Sequence, residues 1–109
     1  MAAYFCYVTA PSREVALAIG RTIVEERLAA CANVLDGTTS LYWWQGTLEE
    51  ASEAVLILKT RGELLERLAA RVTDLHPYEC PGVVALPIAA GNRAYLDWIA
   101  GETAPALRP

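Results

Sequence analysis

Short apolar and β-branched runs alternate along the chain with segments of helical periodicity. The runs predict strands at 4–9, 31–35, 38–45, 48–59 and 82–88. Apolar spacings of three and four predict helices from Arg13 to about Ala30, between Thr60 and Pro77, and around 95–99. The element order is therefore β-α-β-β-α-β-α, without internal repeats or a linker.

Turn and capping signals mark the boundaries of these elements. Ser12 suits the N-cap of the first helix. Thr60, with Glu63 three residues later, matches a capping box and predicts the start of the second helix. Asp36-Gly37 predicts a turn or bulge that interrupts the second strand.

One long hairpin, made of 38–45 and 48–59, joins the two halves of the pattern. Each main helix connects two strands, which favours a crossover in each half. The hairpin makes the middle strands antiparallel, so we predict an α+β fold of the ferredoxin-like split β-α-β type, with an antiparallel sheet and helices on one face. A doubly wound sheet is the alternative, but it needs a helix between strands two and three.

The runs YFCYV and VLIL are apolar at consecutive positions, which point to opposite faces of a sheet. Strands of this kind are normally buried on both sides. Hydrophobic residues make up 54% of a chain of 109 residues, more than one small domain hides easily. We therefore expect a single domain over 1–109, with a loose tail from about residue 102, that associates into a stable homo-oligomer.

Charge and cysteine usage narrow the classes of partner. The net charge is −4, and Lys59 and eight scattered arginines form no basic stripe, so we expect neither nucleic acid nor a membrane surface as partner. Cys6, Cys31 and Cys80 are an odd set without paired short spacings, which fits reduced thiols in a cytoplasmic protein better than disulfides or a zinc knuckle. We expect no signal peptide and no spanning helix.

Six short blocks follow one another between Thr9 and Trp98. They are TAP at 9–11, LAACAN at 28–33, YWWQG at 42–46, LKT at 58–60, HPYE at 76–79 with Pro81, and GN at 91–92 with Tyr95 and Trp98. In this order they resemble the CutA family of divalent-cation tolerance proteins. The resemblance implies a ferredoxin-like subunit in a tight homotrimer, with sheet faces turned inward and an assembly similar to that of the PII signalling proteins. From these blocks we assign structural roles to Cys31, Asn33, Gly46, Pro77, Pro81 and Trp98.

His76 is the only histidine, and with Glu79 and Cys80 of the same loop it is a candidate donor to copper or zinc. The alternative is a histidine that caps the preceding helix by bonding to its last carbonyls. Family members credited with copper ligation carry a cysteine and a second histidine where this chain has Val8 and Leu75. The resemblance therefore does not carry copper binding over to this chain, and no other cofactor is expected.

The candidates for lining a ligand cleft between subunits are Trp43, Trp44, Lys59 and Tyr78. The alternatives are tryptophans that anchor an interface or the core, and a Lys59–Glu79 pair that fixes the HPYE loop. A third interpretation is an enzyme in which Tyr78, Glu79 and Lys59 supply the acid and base, but the sequence contains no catalytic motif that supports it. We assign no catalytic residue.

Residues and resemblance together predict a non-enzymatic, cytoplasmic trimer that is involved in divalent metal ion tolerance, with copper as a candidate ligand. The alternative is a PII-like small-molecule sensor, in which Lys59 and an arginine hold an anionic or nucleotide ligand in the inter-subunit clefts. The chain itself is the one partner predicted, and the physiological partner is unknown.

Overall fold

A computed structural model describes residues 2–103 of the chain. It contains β1 (Ala3–Ala10), α1 (Arg13–Glu25), β2 (Cys31–Trp44), β3 (Thr47–Arg61), α2 (Leu65–Leu75), β4 (Val83–Pro87) and α3 (Arg93–Glu102). A single 3-10 turn, Gly62–Leu64, precedes α2. The predicted order of elements is confirmed.

The four strands form one sheet in the order β2-β3-β1-β4, and every neighbouring pair is antiparallel. The two crossovers, through α1 and α2, place β1 and β3 side by side in the centre. This is the ferredoxin-like split β-α-β arrangement, so the predicted fold class is confirmed and the doubly wound alternative is wrong.

The hairpin of β2 and β3 contains the predicted bulge, between Leu35 and Thr38. Gly37 has a φ of +83°, a backbone conformation that glycine adopts at little energetic cost because it has no Cβ. Its N–H donates to the Asp36 carboxylate at 2.8 Å. At the tip, Gln45 and Gly46 both have positive φ, +50° and +80°. Two such residues form the turn type that matches the twist of paired strands, which explains the structural role assigned to Gly46.

The core lies between one sheet face and the helices α1 and α2. Alternate residues of the central strands fill it together with one face of each helix, and its fully buried members include Cys6, Val8, Leu56, Leu58, Ile23, Leu68 and Val72. A Cβ added at Gly20 would lie 2.9 Å from a methyl group of Leu56, so the glycine allows α1 to lie close to β3.

The first helix begins at its predicted cap but ends earlier than predicted. Ser12 accepts a hydrogen bond from the N–H of Val15 at 3.2 Å. The helix stops at Glu25 instead of about Ala30, because Arg27 adopts a φ of +64° and the N–H of Leu28 bonds back to the Ile23 carbonyl at 3.0 Å. This is a Schellman ending with arginine in the place usually taken by glycine.

The predicted capping box at Thr60 is wrong. Thr60 is part of β3, and its hydroxyl donates to the Leu28 carbonyl at 2.7 Å in the buried interior. The chain enters α2 through the 3-10 turn instead, and α2 has no side-chain cap. Because the Thr60 hydroxyl bonds to the carbonyl of a residue distant in sequence, it does not cap α2.

The C-terminal helix is longer than predicted. It runs to Glu102, and the next residue, Thr103, is buried and donates to the Ile99 and Ala100 carbonyls at 3.0 and 3.1 Å. The predicted loose tail therefore does not begin at residue 102. Its remaining part, 104–109, lies outside the described residues.

The sheet face opposite α1 and α2 carries exposed apolar side chains. Its large exposed members are Tyr7, Leu35, Val84 and Leu86. Of the helices between residues 2 and 103, α3 reaches this face, at the end where Tyr95 accepts a hydrogen bond from Lys59 at 3.2 Å. Helices therefore lie on both faces, which corrects the predicted one-sided arrangement, and most of the second face is open to solvent in a single chain.

Candidate functional site

A cavity of about 590 Å³ lies where the hairpin meets the end of β1 and the loop 76–82. Three parts of the chain line it: Thr9 of β1; Ser40, Tyr42, Trp44 and Glu53 of the hairpin; and Pro77, Tyr78, Glu79, Cys80 and Gly82 of the loop. The volume is within the usual range of small-molecule sites.

The alternation of strand residues places the hairpin side chains in the cavity. Ser40, Tyr42 and Trp44 occupy every second position of β2 and share one face, and Glu53 faces the same way from β3. Trp43 belongs to the opposite face, where it pairs with Leu48 and is 73% exposed. Of the two candidate tryptophans, Trp44 therefore lines the cavity and Trp43 does not.

His76 fastens the loop to the sheet. The pairing of β4 with β1 ends at Val8, and His76 Nε2 lies 2.8 Å from the next carbonyl along β1, that of Thr9. The Tyr78 N–H donates to His76 Nδ1 at 3.2 Å. Because Nδ1 accepts, the geometry assigns the proton to Nε2, which donates to Thr9.

The phenol of Tyr78 is bound to a buried carboxylate. Its hydroxyl donates to Glu53 Oε2 at 2.5 Å, and Glu53 is only 7% exposed. Burial, followed by the hydrogen bond to Glu53 and the negative charge of Glu53, raises the pKa of Tyr78 well above its ordinary value. The phenol is therefore protonated at neutral pH, as a hydrogen-bond donor must be.

The predicted metal donors lie in one loop, but they do not form a ready-made site. Glu79 and Cys80 are exposed neighbours at the cavity, whereas both ring nitrogens of His76 are occupied within the chain. No group of three or more His, Cys, Asp or Glu side chains in residues 2–103 is placed to hold a metal ion. The donor set of one chain therefore does not fit a resident metal, and binding by His76, Glu79 and Cys80 stays a prediction.

The alternative role of His76 needs a correction. Its backbone N–H does bond to the Thr73 carbonyl at 3.4 Å at the end of α2. The ring, however, bonds to β1 and not to the last carbonyls of the helix. The side chain therefore joins loop and sheet instead of capping the helix.

Lys59 lies away from the cavity. Its ammonium donates to Asn33 at 3.3 Å and to Tyr95 at 3.2 Å, so the predicted pairing with Glu79 is wrong. Trp98 stacks on Tyr95 with ring centroids 5.6 Å apart, and Cys31 Sγ lies 3.8 Å from the Tyr95 hydroxyl. Tyr95, at the point where α3 contacts the sheet, is thus surrounded by Lys59, Asn33, Cys31 and Trp98.

Sequence reasoning missed four polar or aromatic members of the cavity, which are Thr9, Ser40, Tyr42 and Glu53. Tyr42 is part of the YWWQG block, so its alternation with Trp44 was a usable signal. Thr9 belongs to the TAP block, whereas Ser40 and Glu53 belong to no block, and strand register and the approach of the loop bring them together. None of the helices in 2–103 is long and apolar enough to span a bilayer.

A model of the CutA1 divalent ion tolerance protein family matches residues 4–102. The chain is 52% identical over 96 residues to the divalent-cation tolerance protein CutA of Thermus thermophilus. The matched region covers 88% of this chain and 93% of that protein. It is 45% identical over 93 residues to protein CutA of Homo sapiens, covering 85% of this chain and 52% of that protein. The chain thus spans about half the length of the human relative.

Solved structures show the same likeness. The T. thermophilus divalent cation tolerance protein superposes with a TM-score of 0.91 at 49% identity, over 94% of this chain and 99% of that one. CutA1 from Oryza sativa superposes with a TM-score of 0.94 at 40% identity, over 97% of each chain.

Proposed function

Because the chain belongs to the CutA1 family of divalent ion tolerance proteins, we propose that it acts as a homotrimer that binds a ligand and does not convert it. Family membership associates the chain with tolerance of divalent cations. The observation that carries the binding role is the buried carboxylate of Glu53, held by Tyr78 at the wall of a cavity of about 590 Å³.

Exposed apolar side chains support the homotrimer. Besides the open sheet face, the hairpin presents Leu41, Trp43 and Leu48 on one side, with 66%, 73% and 57% of their surface exposed. Contiguous apolar surface of this kind is typical of protein interfaces. The number three follows from the family resemblance, and burial of these side chains against neighbouring copies explains why a small chain tolerates them.

The chemistry of the cavity supports binding over catalysis. A protonated phenol with a raised pKa is no base at neutral pH, and the Lys59 of the hypothetical acid–base set lies elsewhere. His76 holds the loop with both nitrogens. The side chains that reach the cavity can therefore orient a ligand but are not arranged as an acid–base pair.

For metal binding we propose copper or zinc at Cys80 and Glu79, with His76 able to join after its ring gives up the bond to Tyr78. The three free thiols also lead us to propose a cytoplasmic, reducing location. Calorimetry with each ion tests the metal set. We expect Cys80→Ser and Glu79→Gln to lower the heat, and a His76→Ala variant with wild-type heats removes His76 from the set.

Growth of a bacterial strain without its own CutA protein tests the tolerance role. At raised copper or zinc concentration, we expect the wild-type chain to restore growth and Glu53→Gln to restore less of it. Glu14→Gln is the matched control, because Glu14 is an exposed carboxylate of α1, which packs on the sheet face opposite the cavity. A wild-type protein that accumulates in soluble form without restoring growth contradicts the tolerance role.

A PII-like sensor is the second candidate function. The volume of the cavity suits an organic molecule better than a bare ion, which favours a sensor of small molecules. The predicted anionic ligand is disfavoured there, because two carboxylates and no Lys, Arg or His are found among the described residues that line the cavity. A screen of nucleotides and carboxylates by thermal shift is expected to leave the melting temperature unchanged.

A further inference from the structure

We infer that the hairpin of one chain inserts Trp43 into a pocket between α2 and β4 of the next chain, so that neighbouring copies contact one another head to tail. This inference names two complementary surfaces of the homotrimer proposed above, and it rests on that homotrimer. It needs no ligand, because both surfaces belong to the chain itself.

The outer part of the hairpin is a two-stranded ribbon with an apolar side. β1 pairs with β3 only as far as Ala54, so residues 38–53 have no third strand in the part of the chain that the structure describes. Leu48 alternates in phase with Leu56 of the core, and Trp43 is its partner on β2, so both belong to the helix side of the sheet. They are nevertheless 57% and 73% exposed. Because a two-stranded ribbon is at best marginally stable in water, its apolar side indicates a contact with another surface.

A pocket of about 200 Å³ opens at the other edge of the sheet. Val83 and Ala85 of β4 pair with the core residues Val8 and Cys6, so this edge of the pocket also belongs to the helix side. The volume is below the range of about 300–1,000 Å³ that is usual for small-molecule sites, but it suits one large side chain. The lining includes Cys6, Val83 and Ala85 and, from α2, Leu65, Glu66 and Ala69.

Trp43 matches this pocket in apolar surface and in hydrogen bonding. A buried indole needs an acceptor for its N–H, and Glu66 is the one charged residue among the described residues that line the pocket. A covered tryptophan supplies about 150–250 Å² of the roughly 800 Å² that each partner buries in a stable interface. Leu41 and Leu48, on the same side of the hairpin, enlarge the contact around the indole.

The free edges of the sheet support the same arrangement. The strand order β2-β3-β1-β4 leaves one edge of β2 and one edge of β4 without a strand partner within residues 2–103. Pairing of β2 of one copy with β4 of the next would cover both edges and continue the helix side from chain to chain, which brings Trp43 to the pocket. Because the two surfaces differ and lie at opposite edges, the contact is heterologous and closes as a ring of copies.

Thiol cross-linking of the assembled protein tests the contact. Trp43→Cys and Glu66→Cys are introduced together in a Cys80→Ser background, which removes the exposed native thiol. The short bifunctional reagent bismaleimidoethane is expected to give covalent species of two and three chains on a denaturing gel, and none larger because the ring is closed. The matched control carries Glu14→Cys, an exposed position of α1, in place of Glu66→Cys. This control and the single variants are expected to remain single chains.

Substitutions on the pocket side leave Trp43 in place and give a second test. Ala69→Leu fills the pocket, whereas Ala70→Leu adds the same group at the exposed neighbouring position of α2, outside the lining. Native mass spectrometry follows the exchange of subunits between unlabelled and isotope-labelled protein. We expect Ala69→Leu and Trp43→Ala to exchange subunits at least about tenfold faster than the wild type, and Ala70→Leu to match it. Circular dichroism confirms that each variant is folded.

Two results overturn the inference: a trimeric double variant that does not cross-link, and equal exchange rates for Ala69→Leu and Ala70→Leu. In either case, a wild type of three chains in light scattering leaves the homotrimer standing and assigns its interface to other surfaces. A folded wild type of one chain removes the homotrimer and the inference together.

Discussion

The Tyr78 hydroxyl donates a hydrogen bond of 2.5 Å to the buried carboxylate of Glu53 and so joins the loop 76–82 to the long hairpin. The two residues are 25 positions apart in sequence and lie on different elements. A second bond of the same loop, from His76 to the Thr9 carbonyl, joins the first residue of the loop to β1. The shape of the cavity therefore depends on two polar contacts of one short loop.

Loss of the Tyr78 hydroxyl is expected to destabilise the fold. Tyr78→Phe leaves Glu53 as a buried carboxylate without its donor, which costs about 1–3 kcal/mol of unfolding free energy. Urea unfolding at fixed protein concentration measures the change. Tyr42→Phe, in the same cavity, is the matched control, and equal midpoints of the two variants contradict the assigned role of Tyr78.

The raised pKa of Tyr78 predicts how stability depends on alkaline pH. Above the ordinary tyrosine pKa of about 10, the unfolded chain loses the phenolic proton while the folded chain keeps it. The contribution of Tyr78 to stability is therefore complete below that pH and is lost as the pH rises towards the folded pKa. We expect the unfolding free energy of the wild type to fall with pH more steeply than that of Tyr78→Phe, and parallel curves contradict this.

The loop is expected to loosen when His76 is removed. His76→Ala leaves the Thr9 carbonyl and the Tyr78 N–H without the ring that joins them. We expect faster amide hydrogen exchange in the loop 76–82, with α1 unaffected. Glu79→Ala, an exposed position of the same loop, serves as the control, and unchanged exchange in His76→Ala shows that other contacts hold the loop.

The three thiols are expected to react in the order of their exposure. Cys80 is exposed, Cys31 is half-buried, and Cys6 lies in the core, where burial raises its pKa to about 11. Iodoacetamide at neutral pH should therefore label Cys80 first and leave Cys6 unlabelled until the protein unfolds. Mass spectrometry of timed samples reads the order, and early labelling of Cys6 contradicts the placement of β1 in the core.

The fold was predictable because its signals are local. Apolar and β-branched runs predict the strands, and Asp36-Gly37 stands where the hairpin bulges. The end of α1 was missed because Arg27 adopts a backbone conformation that sequence patterns assign to glycine. Thr60 was misread because its hydroxyl bonds to Leu28, a residue 32 positions away.

The candidate site was predictable only in part. Tyr78, Glu79 and Trp44 were selected through their motifs, and they do meet at the cavity. Glu53 was missed and Lys59 was misplaced, because the pairing of strands and the packing of α3 decide which face and which end of the sheet each side chain occupies. These are tertiary relationships that no spacing in a single sequence expresses.

Light scattering on the purified protein in dilute buffer tests the central claim, that copies of this chain cover one another's apolar surfaces. Three chains of 11.8 kDa give a mass of 3 × 11.8, or about 35 kDa, which the account predicts for the folded protein. A folded species near 12 kDa would show that one chain tolerates its open sheet face and hairpin in water. That result would contradict the homotrimer and the role proposed for its exposed apolar side chains.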